Sequence, residues 1–301
     1  MRTRTRRAAN LLLDRLESST SDGGERRLAQ PPLLIVGAPR CGSTLVYQVL
    51  VQAFDVAYLS NRHCRLWGAP SLVERRRPAA PPAAYESRYG RTAGADAPSE
   101  CEQFWYRFFR RRPQYVPLAD ADPKQLRRLR AALRALGRAA GKPLVFKNLL
   151  NALRLEPLGA ALPEAVFVFV RRDTAETAAS ILAARREIRG DEASWWSAEP
   201  PEVDELRRLA PPAQAVEQVR RIEALIEGGR DRLGGGRFCE LRYERFCDDP
   251  EEALGEVAAL AARNGVRLER RHAVPAKFER SGKSRLEPQT YDEIAEYARS
   301  R

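Results

Sequence analysis

The 301 residues are enough for one large α/β domain or two small ones, and a composition 44% hydrophobic and 31% charged excludes a disordered or fibrous chain. Lys and Arg number 52 against 40 Asp and Glu, a net charge of +12. That surplus fits an anionic ligand, nucleic acid or an acidic membrane surface, and equally an Arg- and Ala-rich coding bias, so charge alone selects none of them.

Residues 1–30 read as a flexible basic N-terminal tail with a short helix at Ala8–Leu16. Arg2, Arg4, Arg6 and Arg7 resemble the start of a secretory signal, but Leu11–Leu13 is too short for its apolar region and Asp14 interrupts it. Pro31-Pro32 opens the folded part. Leu33–Val36 is apolar throughout, as parallel strands buried on both faces are. After the turn Gly37–Gly42, Leu45, Val46, Val49, Leu50, Ala53 and Phe54 recur at helical spacing. Residues 60–100 are rich in Pro, Gly and Arg and predict loops with an irregular lid.

Pro123–Ala140 carries Leu126, Leu129, Leu133 and Leu136 on one face and predicts an amphipathic helix with a basic outer side. Leu144–Phe146 and Val166–Val170 predict two further buried strands. Asp173 with Glu176 three residues on predicts a capped helix to about Ile188. A fourth strand is expected at Arg237–Leu241 and a helix at Glu251–Asn264, ended by Gly265. Strands alternating with helices imply a central parallel sheet flanked by helices, and residues 31–301 show no repeat or second boundary. No apolar run approaches the ~18 residues of a membrane-spanning helix. Five cysteines without a C-x-x-C pair predict a reduced, cytoplasmic protein. Two histidines argue against a His-rich metal site, so no metal is expected.

The stretch Gly37-Ala38-Pro39-Arg40-Cys41-Gly42-Ser43-Thr44 lies between a strand and a helix. Backbone N–H groups there, with the helix N-terminus, form a concave anion site. The spacing matches a nucleotide-binding G-x-x-x-x-G-K-[ST] loop except that Ser43 stands at the lysine position. The cation, Arg40, comes earlier, inside the loop. A small-molecule or nucleotide kinase would lack its phosphate-reaching lysine. The run resembles the 5′-phosphosulfate loop, P-[RK]-[ST]-G-[ST]-[ST], of sulfotransferases that use 3′-phosphoadenosine 5′-phosphosulfate (PAPS). Cys41 departs from the pattern, removing one hydroxyl and leaving the backbone donor.

Val166–Val170 leads into Arg171-Arg172-Asp173, and Ser180 follows Arg172 by eight residues on the same helix face. This is similar to the 3′-phosphate site of the same family, with Thr174 in place of a common proline. Tyr243-Glu244 followed by Pro250 resembles the family's segment near the nucleotide, and Arg280-Ser281-Gly282-Lys283 its late basic loop. The resemblance implies a P-loop-like fold, PAPS as co-substrate with Arg40, Cys41, Gly42, Ser43, Thr44, Arg172, Ser180, Tyr243, Arg280, Gly282 and Lys283 around it, and no metal. It also implies a small-molecule acceptor, with neither nucleic acid nor membrane as partner.

Sulfuryl transfer is an in-line displacement that needs positive charge on the leaving and equatorial oxygens. Arg40 is assigned to that charge, and Lys147, at a strand end, matches a lysine of the family. The segment Lys147–Asn151 holds no histidine where many members of the family carry one, so the general base is left among Glu100, Glu102 and His63, with Glu100 preferred. Trp67, Trp105, Trp195 and Trp196 are candidates for an acceptor pocket or for simple packing. The basic runs Arg75–Arg77, Arg110–Arg112 and Arg127, Arg128 and Arg130 keep open a non-catalytic binder of anionic polymers.

Overall fold

A computed structural model describes residues 2–20, 28–77, 85, 92–280 and 286–300. The strands β1 (Leu33–Val36), β2 (Val145–Lys147), β3 (Val166–Arg171) and β4 (Phe238–Arg242) form a parallel sheet in the order β2-β1-β3-β4. Leu34 lies opposite Phe146 on one side and Phe167 on the other, and Val168 opposite Cys239. Because side chains alternate across a strand, β1 feeds two cores. Leu34 and Val36 join Phe146, Phe167 and Phe169 on one face; Leu33 and Ile35 join Val166, Val168 and Val170 on the other.

The helices in chain order are α1 (Arg2–Thr20), α2 (Ser43–Ala53), α3 (Asn61–Arg65), α4 (Pro70–Arg75), α5 (Glu102–Trp105), α6 (Pro123–Ala140), α7 (Leu155–Ala161), α8 (Thr174–Arg189), α9 (Val203–Leu206), α10 (Pro211–Leu233), α11 (Tyr243–Asp248), α12 (Pro250–Arg263) and α13 (Pro288–Arg299). Helices α2 and α12 cover the Ile35 face, whereas α6, α8 and α10 cover the Leu34 face. Local chemistry fixes the helix starts. Asp122, Asp173 and Asp249 each accept a hydrogen bond from an amide of the first turn, at 2.8–2.9 Å, satisfying a donor that the helix itself leaves unpaired.

Where a tail was expected, residues 2–20 form α1, laid against α4 and α6 by polar contacts. Asp14 binds Arg107 at 2.5 Å and Arg128 at 3.0 Å. Asn10 accepts the Gly68 amide at 2.9 Å, and Glu17 takes both the amide and hydroxyl of Ser71. Burial raises the Glu17 carboxyl above its usual range, opposed by the Ser71 bonds and by Arg107. The inward stripe Asn10, Asp14, Glu17 has helical spacing but is polar, so a search for apolar periodicity passes over it. Residues 60–77, expected as loops, include α3 and α4. The long α10 lies in a stretch for which no element was expected, and Pro211-Pro212 at its start suits a first helical turn.

Candidate active site

All four strands being parallel, their C-terminal ends open on one side, where ligands of such sheets collect at the point of reversal in strand order. The loops after β1, β2 and β3 and the start of α11 meet there around a cleft of about 800 Å³. Two glycines are obligatory in the first loop. A Cβ on Gly37 would stand 2.5 Å from the Val170 carbonyl oxygen and 2.6 Å from the Cys41 sulfur. Gly42 has φ +90° and a Cβ there would stand 2.1 Å from the Tyr243 ring, so the loop passes this ring only as glycine. Gly42 caps α2 with no side-chain hydrogen bond, leaving the opening amides of α2 as a positive dipole end at the cleft. Arg40 also adopts a left-handed conformation, φ 68°.

Arg40 Nε donates to Ser180 Oγ at 3.0 Å across 140 residues of sequence. Arg172, 6% exposed, pairs with Glu176 at 3.1 Å and stacks over the Tyr243 ring at 4.9 Å. The first loop, the α8 serine and the arginine after β3 therefore share one wall, with Tyr243 wedged between Gly42 and Arg172. Arg40, Gly42, Ser43, Thr44, Arg172 and Tyr243 line the cleft.

Lys147, 3% exposed, ends β2 one residue beyond the expected strand. Its Nζ donates to Thr44 Oγ1 at 3.2 Å and forms an ion pair with Glu100. The second Glu100 oxygen accepts the Leu149 amide at 3.0 Å, and Asn148 Nδ2 donates to the Glu100 carbonyl at 3.2 Å. The candidate base and the candidate cation thus lie in contact, although 47 residues separate them.

Some candidates lie elsewhere. Cys41 is fully buried behind the loop and its amide donates to Ala38 at 3.3 Å, so the backbone donor expected to face the ligand is spent within the turn. Burial raises the Cys41 thiol, against hydrogen bonds from Ser43. Arg280 pairs with Asp248 on an exposed surface; Gly282 and Lys283 lie outside the described residues. His63 is a core residue: Nε2 lies 3.2 Å from Glu74 and Nδ1 accepts the Ser60 amide at 3.1 Å. Glu102 does line the cleft. Trp105 packs against Phe146 and Phe104 in the core, and Trp67 packs on the same core. Trp195 and Trp196 reach the cleft.

The far wall is built from residues that carried no motif, including Tyr106, Arg112, Gln114 and Glu199. The turn Trp195–Glu199 is held from behind. Gln218 Nε2 donates to the Trp196 and Ala198 carbonyls at 3.0 and 2.8 Å. Arg185, with no exposed surface, donates to Gln214, Gln218 and the Glu192 carbonyl and lies under the Trp195 ring at 4.9 Å. Burial lowers this arginine to about 10, the cost of a charge held by neutral acceptors. Among the described residues, no group of three or more His, Cys, Asp or Glu is placed to hold a metal ion, and no helix is long and apolar enough to cross a membrane.

The model of the family described as "Sulfotransferase family" matches residues 31–263. Comparison with curated protein sequences gives no match. Among solved structures, the sulfotransferase STF9 of Mycobacterium avium is similar with a TM-score of 0.56 at 17% identity, covering 95% of this chain and 71% of its own. The sulfotransferase STF1 of Mycobacterium tuberculosis H37Rv is similar with a TM-score of 0.52 at 16% identity, covering 95% of this chain and 77% of its own. At such identities the likeness speaks for the fold alone.

Proposed function

The chain belongs to the sulfotransferase family, and on that premise we propose that it moves a sulfuryl group from PAPS to a hydroxyl or amine of a small-molecule or carbohydrate acceptor by in-line displacement. The observation that carries this reading is the Arg40–Ser180 hydrogen bond at 3.0 Å. It joins the loop suited to a 5′-phosphosulfate to the Arg172–Ser180 face suited to a 3′-phosphate, so a nucleotide anionic at both ends spans them. Tyr243, with a ring face already stacked by Arg172, borders the space for the nucleoside. The late loop at Arg280, Gly282 and Lys283 is assigned to the same 3′ end by the family resemblance alone, since Arg280 pairs with Asp248 away from the cleft lining.

The donor supplies the sulfuryl group and leaves as adenosine 3′,5′-bisphosphate. The chain positions it and neutralises charge. Arg40, with the α2 amides near Ser43 and Thr44, faces the phosphosulfate end, and Lys147 reaches the same oxygens from its place beside Thr44. Glu100 holds Lys147 before the donor arrives and takes the acceptor proton once the lysine turns to the sulfate. Glu102, in the same cleft, is the second candidate base. A cytoplasmic location accords with five free cysteines.

The kinase alternative loses support from Ser43 at the lysine position, and the anionic-polymer alternative from a cleft of defined volume. Ligand choice tests all three. Adenosine 3′,5′-bisphosphate is expected to raise the melting temperature while Mg-ATP and duplex DNA do not. Stabilisation by Mg-ATP alone overturns the assignment in favour of phosphoryl transfer.

A further inference from the structure

Two cysteines stand together on the wall that carries Glu100. Cys64, on α3, and Cys101, just ahead of α5, both line the cleft. The Cys64 thiol lies 3.1 Å from Ser99 Oγ, and the Cys101 amide donates to that same oxygen at 3.4 Å. Ser99 Oγ thus accepts from both the Cys64 thiol and the Cys101 amide and ties the two cysteines to one oxygen. The neighbouring side chain and amide of Cys101 favour the ionised form of Cys64. The two thiols are driven apart in acidity. Hydrogen bonding from Cys101 lowers Cys64 despite burial, whereas burial raises Cys101, 4% exposed, well above the ordinary range. Cys64 is partly open to the cleft, whereas Cys101 is enclosed beside it on the same wall, the two joined through Ser99 Oγ. Cys101 further holds φ +44°, a conformation disfavoured for a residue with a Cβ.

We propose that Cys64 and Cys101 form a dithiol modification site, converted to an intramolecular disulfide by a small disulfide that enters the cleft. The Cys64 thiolate attacks the small disulfide RSSR; its S–S bond breaks and one RS⁻ leaves, taking up the proton Cys64 gave on ionising. Cys101 then loses its proton and attacks the Cys64 sulfur of the mixed disulfide, expelling a second RS⁻ that takes up that proton. The two cysteines are oxidised by two electrons, and RSSR is reduced to two RSH. Excess thiol reverses both steps, which suits a reduced compartment where such bonds are transient.

Closing the bond brings the sulfurs to about 2.05 Å, closer than any hydrogen bond between them. Cys101 must move, and with it the adjoining Glu100 peptide, whose carboxylate is held by Lys147 and the Leu149 amide. A displacement of that kind at a reacting group lowers turnover by about a hundredfold. This consequence rests on the roles given to Glu100 and Lys147 above, whereas formation of the bond does not.

The test treats the full-length protein with oxidised glutathione, blocks remaining thiols by alkylation, and reads intact mass and a peptide map alongside sulfuryl transfer. The expected product has lost two hydrogens, carries a Cys64–Cys101 linked peptide, turns over slowly and recovers with dithiothreitol. Cys64→Ser and, separately, Cys101→Ala give no linked peptide and keep whatever activity they have after the same treatment. Glutathione that stays on Cys64, linkage to another cysteine, or an unchanged mass overturns the dithiol site. A linked pair with undiminished turnover keeps the dithiol site and overturns the role of Glu100.

Discussion

The two walls of the cleft are built by different means. The wall proposed for the donor comes from short runs of chain whose backbone is constrained in place: Gly37 against the Val170 carbonyl, Gly42 against the Tyr243 ring, Arg172 stacked on the same ring. The wall proposed for the acceptor comes from distant segments around Glu102, Gln114 and Trp195–Glu199, the last held by side chains that do not line the cleft. Gln218 holds that turn through the Trp196 and Ala198 carbonyls, and Arg185, itself bonded to Gln214 and the Glu192 carbonyl, holds Gln218. A wall made of local backbone tolerates few residue types and presents a fixed set of donors. A wall hung on buried amides can change its cleft-facing side chains while its supports stay the same, which is how one fold serves many acceptors.

The comparison is tested most sharply by the groups at the seam. Lys147→Ala is expected to lower kcat by about a hundred- to a thousandfold, the range for losing one preorganised charge donor, while the Kd of adenosine 3′,5′-bisphosphate changes far less. Steady-state kinetics with calorimetric binding separate the two. A loss of binding equal to the loss of rate would make Lys147 a donor anchor.

A smaller effect is expected on the donor wall itself. Gly42→Ala puts a Cβ where the Tyr243 ring lies and forces a left-handed backbone that costs roughly 1–2 kcal/mol. The Kd for adenosine 3′,5′-bisphosphate should weaken about tenfold or more, with acceptor KM at saturating donor unchanged. Equal damage to both constants would show that the walls are not independent.

The smallest expected change lies on the acceptor wall. Gln218→Ala removes two hydrogen bonds to the Trp196–Ala198 backbone and one from Arg185, each worth roughly 1 kcal/mol net. Acceptor KM should rise about fivefold to tenfold while donor Kd holds. The reverse pattern would assign the Trp195–Glu199 turn to the nucleotide.

The placement of much of the wall proposed for the donor was legible because its requirements are local. A strand, a glycine-bounded turn and a helix in succession place Arg40, Ser43 and Thr44 at one end of the sheet, and α8, starting just after Arg172, carries Ser180, which the structure brings to Arg40. The capped start of α8 was readable for the same reason. What misled was polarity on buried faces. Helix α1 turns Asn10, Asp14 and Glu17 inward, and α10 packs through Gln214 and Gln218 as well as Val216, Val219 and Ile222, so neither segment announces its core face by apolar spacing. Cys41 was given a donor amide that the turn itself consumes, and His63 a proton-transfer role that its contacts with Ser60 and Glu74 replace.

By itself, then, the order of residues determined the parallel α/β layout and which side chains gather at the strand ends, since both follow from periodicity and turn chemistry within a few residues. Only the tertiary structure decided that Lys147 meets Glu100, that Arg40 meets Ser180, that Cys64 meets Cys101, and that Trp195 and Trp196, but not Trp105, face the cleft. Those pairings depend on how separate segments pack, and no local spacing encodes a contact across 47 or 140 residues.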